Sequence, residues 1–204
     1  MKTDVLKFEK NVNSVSKITE LAEKTAVYCG LGEKQKLKLN LLCEELFEML
    51  PNLLAYGKGE FWIEAEGMDF NIHAVVEANE LLSSLDREEI MKISKSGKNA
   101  AAVGIKNKIK IAAEVMVANY ALSKGIGSDV VYESPALDFI EMGAYQDPVG
   151  YSSEWSLLCY KTKAKAEASA EWDELERSII AKLADDVTVG IIDGKVNITV
   201  KKKF

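Results

Sequence analysis

The chain has 204 residues, 48% of them hydrophobic and 28% charged, with a net charge of -6. That balance belongs to a globular protein with enough apolar material for a core, as one domain with an insertion or two small domains. It excludes a global basic surface for nucleic acid or an acidic membrane, and no stretch approaches the ~18 uncharged apolar residues of a membrane span.

Residues 1–10, MKTDVLKFEK, hold no apolar run, so no signal peptide is expected. Cys29, Cys43 and Cys159 lie far apart, and none forms a Cys-x-x-Cys pair. Cys29 and Cys43 sit in apolar helical patterns and read as buried thiols, a usage that fits a reducing cytoplasm. The single histidine, His73, argues against zinc and against a Ser-His triad unless a suitable serine lies beside it.

Residues 4–9, DVLKFE, alternate and predict a short edge strand. Asn13 or Ser14 can cap a helix running to about Tyr28, with Ile18, Leu21, Ala22 and Thr25 on one face. Gly30 and Gly32 end it. A long second helix starts near Glu33 and contains Pro51, which removes a backbone donor and predicts a kink or a split.

That second helix is the chemically informative stretch. Leu42, Leu46, Leu50 and Leu53 recur at steps of three and four and form an apolar stripe. Glu44, Glu45 and Glu48 lie mostly off it. Glu48 and Asn52, four apart, share a face if the helix is continuous. An acid and an amide one turn apart can hold a metal ion and a water, or can be an ordinary solvated face.

Residues 60–66 and 70–77 alternate around Gly67-Met68-Asp69 and predict an antiparallel hairpin, with Phe61, Ile63 and Ala65, then Phe70, Ile72, Ala74 and Val76, facing the helices. His73 falls on the opposite face, as a solvated strand histidine or a pocket donor, and Trp62 on that side reads as a half-buried strand tryptophan or the mark of a dimer or partner face. Residues 99–122 read as an alanine-rich helix, with residues 105–111 as an alternative strand. Trp155 to Tyr160 looks like a strand. Trp172 to Ala184 reads as an amphipathic helix with Trp172, Leu175, Ile179, Ile180 and Leu183 inward. Residues 187–192 and 196–200 then make a hairpin about Asp193-Gly194. The lysines at 201–203 read as a solvated tail.

The order strand, helix, long helix, hairpin, insertion, helix, hairpin predicts an α+β two-layer sandwich: a mixed sheet with helices on one face, plus a largely helical insertion. Residues 1–80 and 171–204 would form the discontinuous domain and 81–170 the insertion. The aromatics Tyr132, Phe139, Tyr145, Tyr151, Trp155 and Tyr160 could line a ligand pocket there, or be an ordinary spread over core and surface.

In this order the chain resembles the histidine-kinase-like (Bergerat) ATPase fold, and more narrowly its anti-sigma-factor serine kinase branch. The likeness is carried by residues 6–31, by EMLPNLLAYG at 48–57, by AVVEAN at 74–79 and by residues 175–202. The resemblance implies that Glu48 acts as general base, Asn52 holds magnesium, and Glu77, with Asn79 beside it, meets the adenine. An alternative register places Glu45 as base and Met49 at the amide. The chain departs from the family where Asp-x-Gly becomes Glu77-Ala78-Asn79, and where a phosphate-cradling Gly-x-Gly becomes Trp172-Asp173-Glu174-Leu175-Glu176. Those carboxylates would repel a triphosphate by about 4 kcal/mol per close pair near a protein surface. The expectation is a cytoplasmic regulatory protein with a degenerate ATP and magnesium site, its lid replaced by residues 81–170, acting on a protein partner. The alternative is an active serine kinase.

Overall fold

The computed structural model describes residues 1–9, 14–53, 58–77, 105–123, 144–146, 153–166 and 178–204. The strands are β1 (Leu6–Glu9), β2 (Lys58–Glu66), β3 (Asp69–Glu77), β4 (Ala144–Gln146), β5 (Ser153–Ser156), β6 (Asp186–Ile192) and β7 (Lys195–Lys203). The helices are α1 (Val15–Tyr28), α2 (Glu33–Leu53), α3 (Ile105–Ser123), α4 (Leu157–Ala166) and α5 (Ile179–Leu183). No described helix is long and apolar enough to cross a membrane.

The seven strands form one sheet in the order β1-β2-β3-β7-β6-β5-β4. Every described pairing is antiparallel, which corrects the mixed sheet expected from the element order. A parallel neighbour needs a crossover that returns the chain to the same end of the sheet. Here the last hairpin enters so that β7 runs against β3, with Asp69 opposite Lys203 and Glu77 opposite Lys195.

Alternation along the strands sets the two faces. Phe61, Ala74, Ile198, Val189 and Trp155 form one rank across the sheet, and all are buried. The next rank, Trp62, His73, Thr199, Thr188 and Ser156, points the other way and is mostly polar. Apolar residues of α1, α2, α3, α4 and α5 join the first rank in one core, so the helices form a second layer over one face. At the β1 edge, Gly59 makes this packing possible. A Cβ there would stand 2.3 Å from the Phe8 ring, which lies edge-on to Phe47 at 5.2 Å.

Helix α1 begins at Ser14 as expected, and it buries Ile18, Ala22 and Thr25. It ends in a Schellman turn: Gly30 adopts φ +69°, its N–H donates to Val27, and the Leu31 N–H donates to Ala26. Helix α2 continues through Pro51 to Leu53, so the proline occupies its last turn and does not split it. Residues 105–111 are helical, which excludes the strand alternative, and Ile109, Ala112, Ala113, Met116 and Val117 are buried.

Three expectations change. The run from Trp155 to Tyr160 is a strand only to Ser156 and a helix from Leu157. The cause is Asp186, whose Oδ1 accepts from the Ser156 hydroxyl at 3.0 Å and the Leu158 N–H at 2.9 Å and so caps α4. Ile179, expected inside, is exposed at the start of α5, while Ile180 is buried. Lys201–Lys203 is no tail: it is the end of β7, with Lys203 paired to Asp69 at 3.2 Å and Lys202 to Asp185 at 2.7 Å. Within residues 81–170, β4 and β5 extend the sheet, and α3 and α4 share its core. Residues 171–177 lie outside the described residues, and with them Trp172, Leu175 and the acids Glu174 and Glu176.

Candidate functional site

The acids of α2 occupy its polar edge. Glu44 accepts from the Thr19 hydroxyl at 3.2 Å and so joins α2 to α1. Glu45 pairs with Lys106 of α3 at 2.7 Å, its side chain only 16% exposed. Glu48 is exposed and makes no ion pair among the described residues. Met49, the amide position of the alternative register, is buried among core residues and offers no oxygen. Asn52 stands in the last turn of α2, with its side chain outside the described residues, as is Asn79. Glu77 ends β3, exposed and opposite Lys195.

Glu48 is open to solvent, whereas Glu45 is half-buried against Lys106. Among the described residues no group of three or more His, Cys, Asp or Glu side chains could hold a metal ion.

The structure brings together a different set of charged groups. At the end of the sheet where β1 and β3 stop and β2 and β7 begin, a cavity of about 460 Å³ opens beside the N-terminus of α1. Lys7, Glu9, Lys17, Lys58, Glu60, Glu77 and Lys195 line it, with Phe8, Ser14, Gly59 and Val75. The register sets Lys7 opposite Glu60, Glu9 opposite Lys58 and Glu77 opposite Lys195. Ser14 sits at the cap position of α1, yet its side chain makes no capping hydrogen bond, and the residue is only 2% exposed. Of this set, the sequence pattern marked only Glu77 as a site residue, and Ser14 only as one of two candidate caps beside Asn13. The alternation of charge at residues 7–9 and 58–60 was a usable signal, but only once β1 was paired with β2.

A second constellation lies on the open face of the sheet. Trp62 and His73 stack at 4.7 Å with 13° between their planes. The Trp62 indole N–H donates to Glu64 at 2.9 Å, and Lys2 pairs with Glu64 at 3.0 Å while its ammonium stands 4.7 Å over the indole. His73 Nδ1 bonds Thr199 Oγ1 at 3.0 Å. Its Nε2 is buried without a hydrogen bond, 3.6 Å from Glu64 and so beyond bonding reach. His73 is therefore a half-buried, stacked side chain, not the solvated histidine expected. Burial holds it below the ordinary histidine value, against the pull of Glu64. Hydrogen bonds from Lys2 and Trp62 hold Glu64 below the usual carboxylate range.

The three cysteines are free thiols. Cys43 is buried and its thiol is pushed well up by desolvation, whereas Cys29 is only partly buried, against expectation, and Cys159 is exposed. Comparison with family models, with curated proteins and with solved structures finds no match to this chain.

Proposed function

We propose that this chain is a cytoplasmic regulatory protein on a histidine-kinase-like ATPase scaffold that has given up nucleotide chemistry and acts by binding another protein. The observation that carries the reading is the Glu45–Lys106 pair. It ties the helix that would bear the catalytic acid to a helix of the stretch that stands where the family keeps a mobile lid. The pair occupies the acid of the alternative register, and together with the buried face of α3 it supports a former lid that has become part of the fold. Glu48 without shelter and Met49 without an oxygen support the same reading in both registers.

A partner surface is available at the elbow of α1 and α2, where Val27, Tyr28 and Leu37 stand 69%, 77% and 60% exposed. Large apolar side chains this open are the raw material of a protein interface. Free cysteines and the net charge of -6 agree with a reducing compartment and a protein partner in preference to nucleic acid.

The test is calorimetric titration of the chain with ATP and magnesium. No saturable heat is expected, with or without Glu48→Ala. Tight, magnesium-dependent binding that Glu48→Ala weakens would overturn the reading in favour of an active kinase.

A further inference from the structure

We propose that His73 is a proton-operated latch: when its ring takes up a proton it closes onto Glu64, draws that carboxylate away from Lys2, and releases residues 1–4 from the edge of β2. The latch lies on the open face of the sheet and uses neither α2 nor α3, so it holds or fails independently of the regulatory reading above.

Residues 1–4 prolong the line of β1 along β2. Lys2 makes a β-bridge with Glu64, the Thr3 N–H donates to Ile63 at 2.9 Å, and the Ala65 N–H donates to Met1 at 2.8 Å. The Ile63 N–H donates to the Thr3 hydroxyl at 3.0 Å. On the open face the segment is fastened by Lys2, which pairs with Glu64 at 3.0 Å and stands 4.7 Å over the Trp62 indole. The side chains of Lys2 and Glu64 are 54% and 40% exposed, and an ion pair so open to water is a weak tie.

The same carboxylate faces a nitrogen that has no partner. Glu64 spends Oε1 on Lys2 and on the indole N–H, while Oε2 stands 3.6 Å from His73 Nε2. That nitrogen is buried without a hydrogen bond, and the other ring nitrogen is committed to Thr199. A proton makes Nε2 a charged donor, and a movement of about 0.8 Å then completes a charge-assisted hydrogen bond. Two cations, Lys2 from the sheet edge and His73 from β3, now compete for one carboxylate and one indole. His73 is held by its stack on Trp62 and its bond to Thr199, whereas Lys2 is a long side chain half in water, so Lys2 gives way. Among the described residues the other charges around the ring are Glu60 of β2, one step along the same face, and Lys201 of β7. Burial sets the release in acid below the ordinary histidine value, with Glu64 acting against it and Lys2 and Lys201 with it. Once free, residues 1–4 leave Ile63 and Ala65 with unpaired backbone groups, an open edge that can accept a strand from another protein.

The chain holds a single histidine, so nuclear magnetic resonance can follow its ring without ambiguity. The experiment titrates the whole chain from about pH 8 to about pH 5 and reads the ring signal together with the {1H}-15N NOE of the Thr3 and Asp4 amides. Those NOEs should fall to the level of a disordered segment, with the same midpoint as the ring, while the amides of Ile72 and Val200 keep their native positions. His73→Gln should leave Thr3 and Asp4 ordered across the range. Lys2→Met, with no cation left to displace, should remove the pH dependence. A ring still neutral at about pH 5, order retained after the ring has titrated, or a loss of order that persists in His73→Gln or Lys2→Met would each overturn the proposal.

Discussion

His73 shows how one side chain makes stability depend on pH. It is flanked by Trp62 and Thr199, with Glu64, Lys2 and Lys201 as the charges that act on it. Burial lowers its folded value below the ~6.5 of an unfolded chain, so the unfolded state takes up the proton more readily. The stability owed to neutral His73 is therefore whole above about pH 6.5 and is lost as pH falls through the lowered folded value. Glu64 acts in another window: its lowered value keeps its contribution intact above the ordinary carboxylate range, to be lost only in stronger acid. The denaturant midpoint of the wild-type chain should fall between about pH 7 and about pH 5, and His73→Gln should remove that part of the slope. An identical slope in both proteins would show that burial does not govern this histidine.

Between elements, the joint to test is Glu45–Lys106, since it fastens α3 to α2. One partner is sheltered and the other is half-exposed, at 16% and 47%, so solvent screens the pair only in part. A double-mutant cycle on urea unfolding with Glu45→Gln and Lys106→Met should give a coupling of about 0.5–1 kcal/mol. Strict additivity would mean that the two helices are held by Ile105, Ile109 and the rest of the apolar seam alone. This joint also marks the limit of what sequence can tell. Patterns resolved by near neighbours were readable: the β2–β3 hairpin turns at Gly67, and Asp193-Gly194 makes its tight turn with φ of 52° and 75°. Patterns resolved by a distant partner were not. Asp186 ends β5 and starts α4 from thirty positions downstream, and ladder pairing with β3 makes Lys201–Lys203 a strand. The same holds for the site. Glu48 and Asn52 stood out because helical spacing is visible in a single stretch, whereas Ser14, Lys17, Lys58 and Lys195 meet only after β1, β2, β3 and β7 have paired.

For the whole molecule, the decisive fact is where the end of the chain goes. β7 lies in the middle of the sheet, between β3 and β6, and it alone joins the β1-β2-β3 half to the β6-β5-β4 half. Val196, Ile198 and Val200 of β7 are fully buried, and their partners across the sheet in β3 and β6 are Val76 and Ile191, Ala74 and Val189, and Ile72 and Val187, all buried except the partly buried Ile191. Removing residues 195–204 would leave two new edges with unpaired backbone groups and an opened core. Nine residues of antiparallel ladder cannot be replaced by packing of the helices, because the helices rest on the face that β7 completes. The truncated chain should therefore lose its cooperative thermal transition by circular dichroism and gain binding of a dye that reports exposed apolar surface. A matched deletion of residues 1–4, which contribute edge contacts along β2 at Trp62, Ile63, Glu64 and Ala65, should keep the transition at a lowered midpoint. If the truncation at 195 melted as sharply as the whole chain, the central place of β7 in the sheet would be wrong.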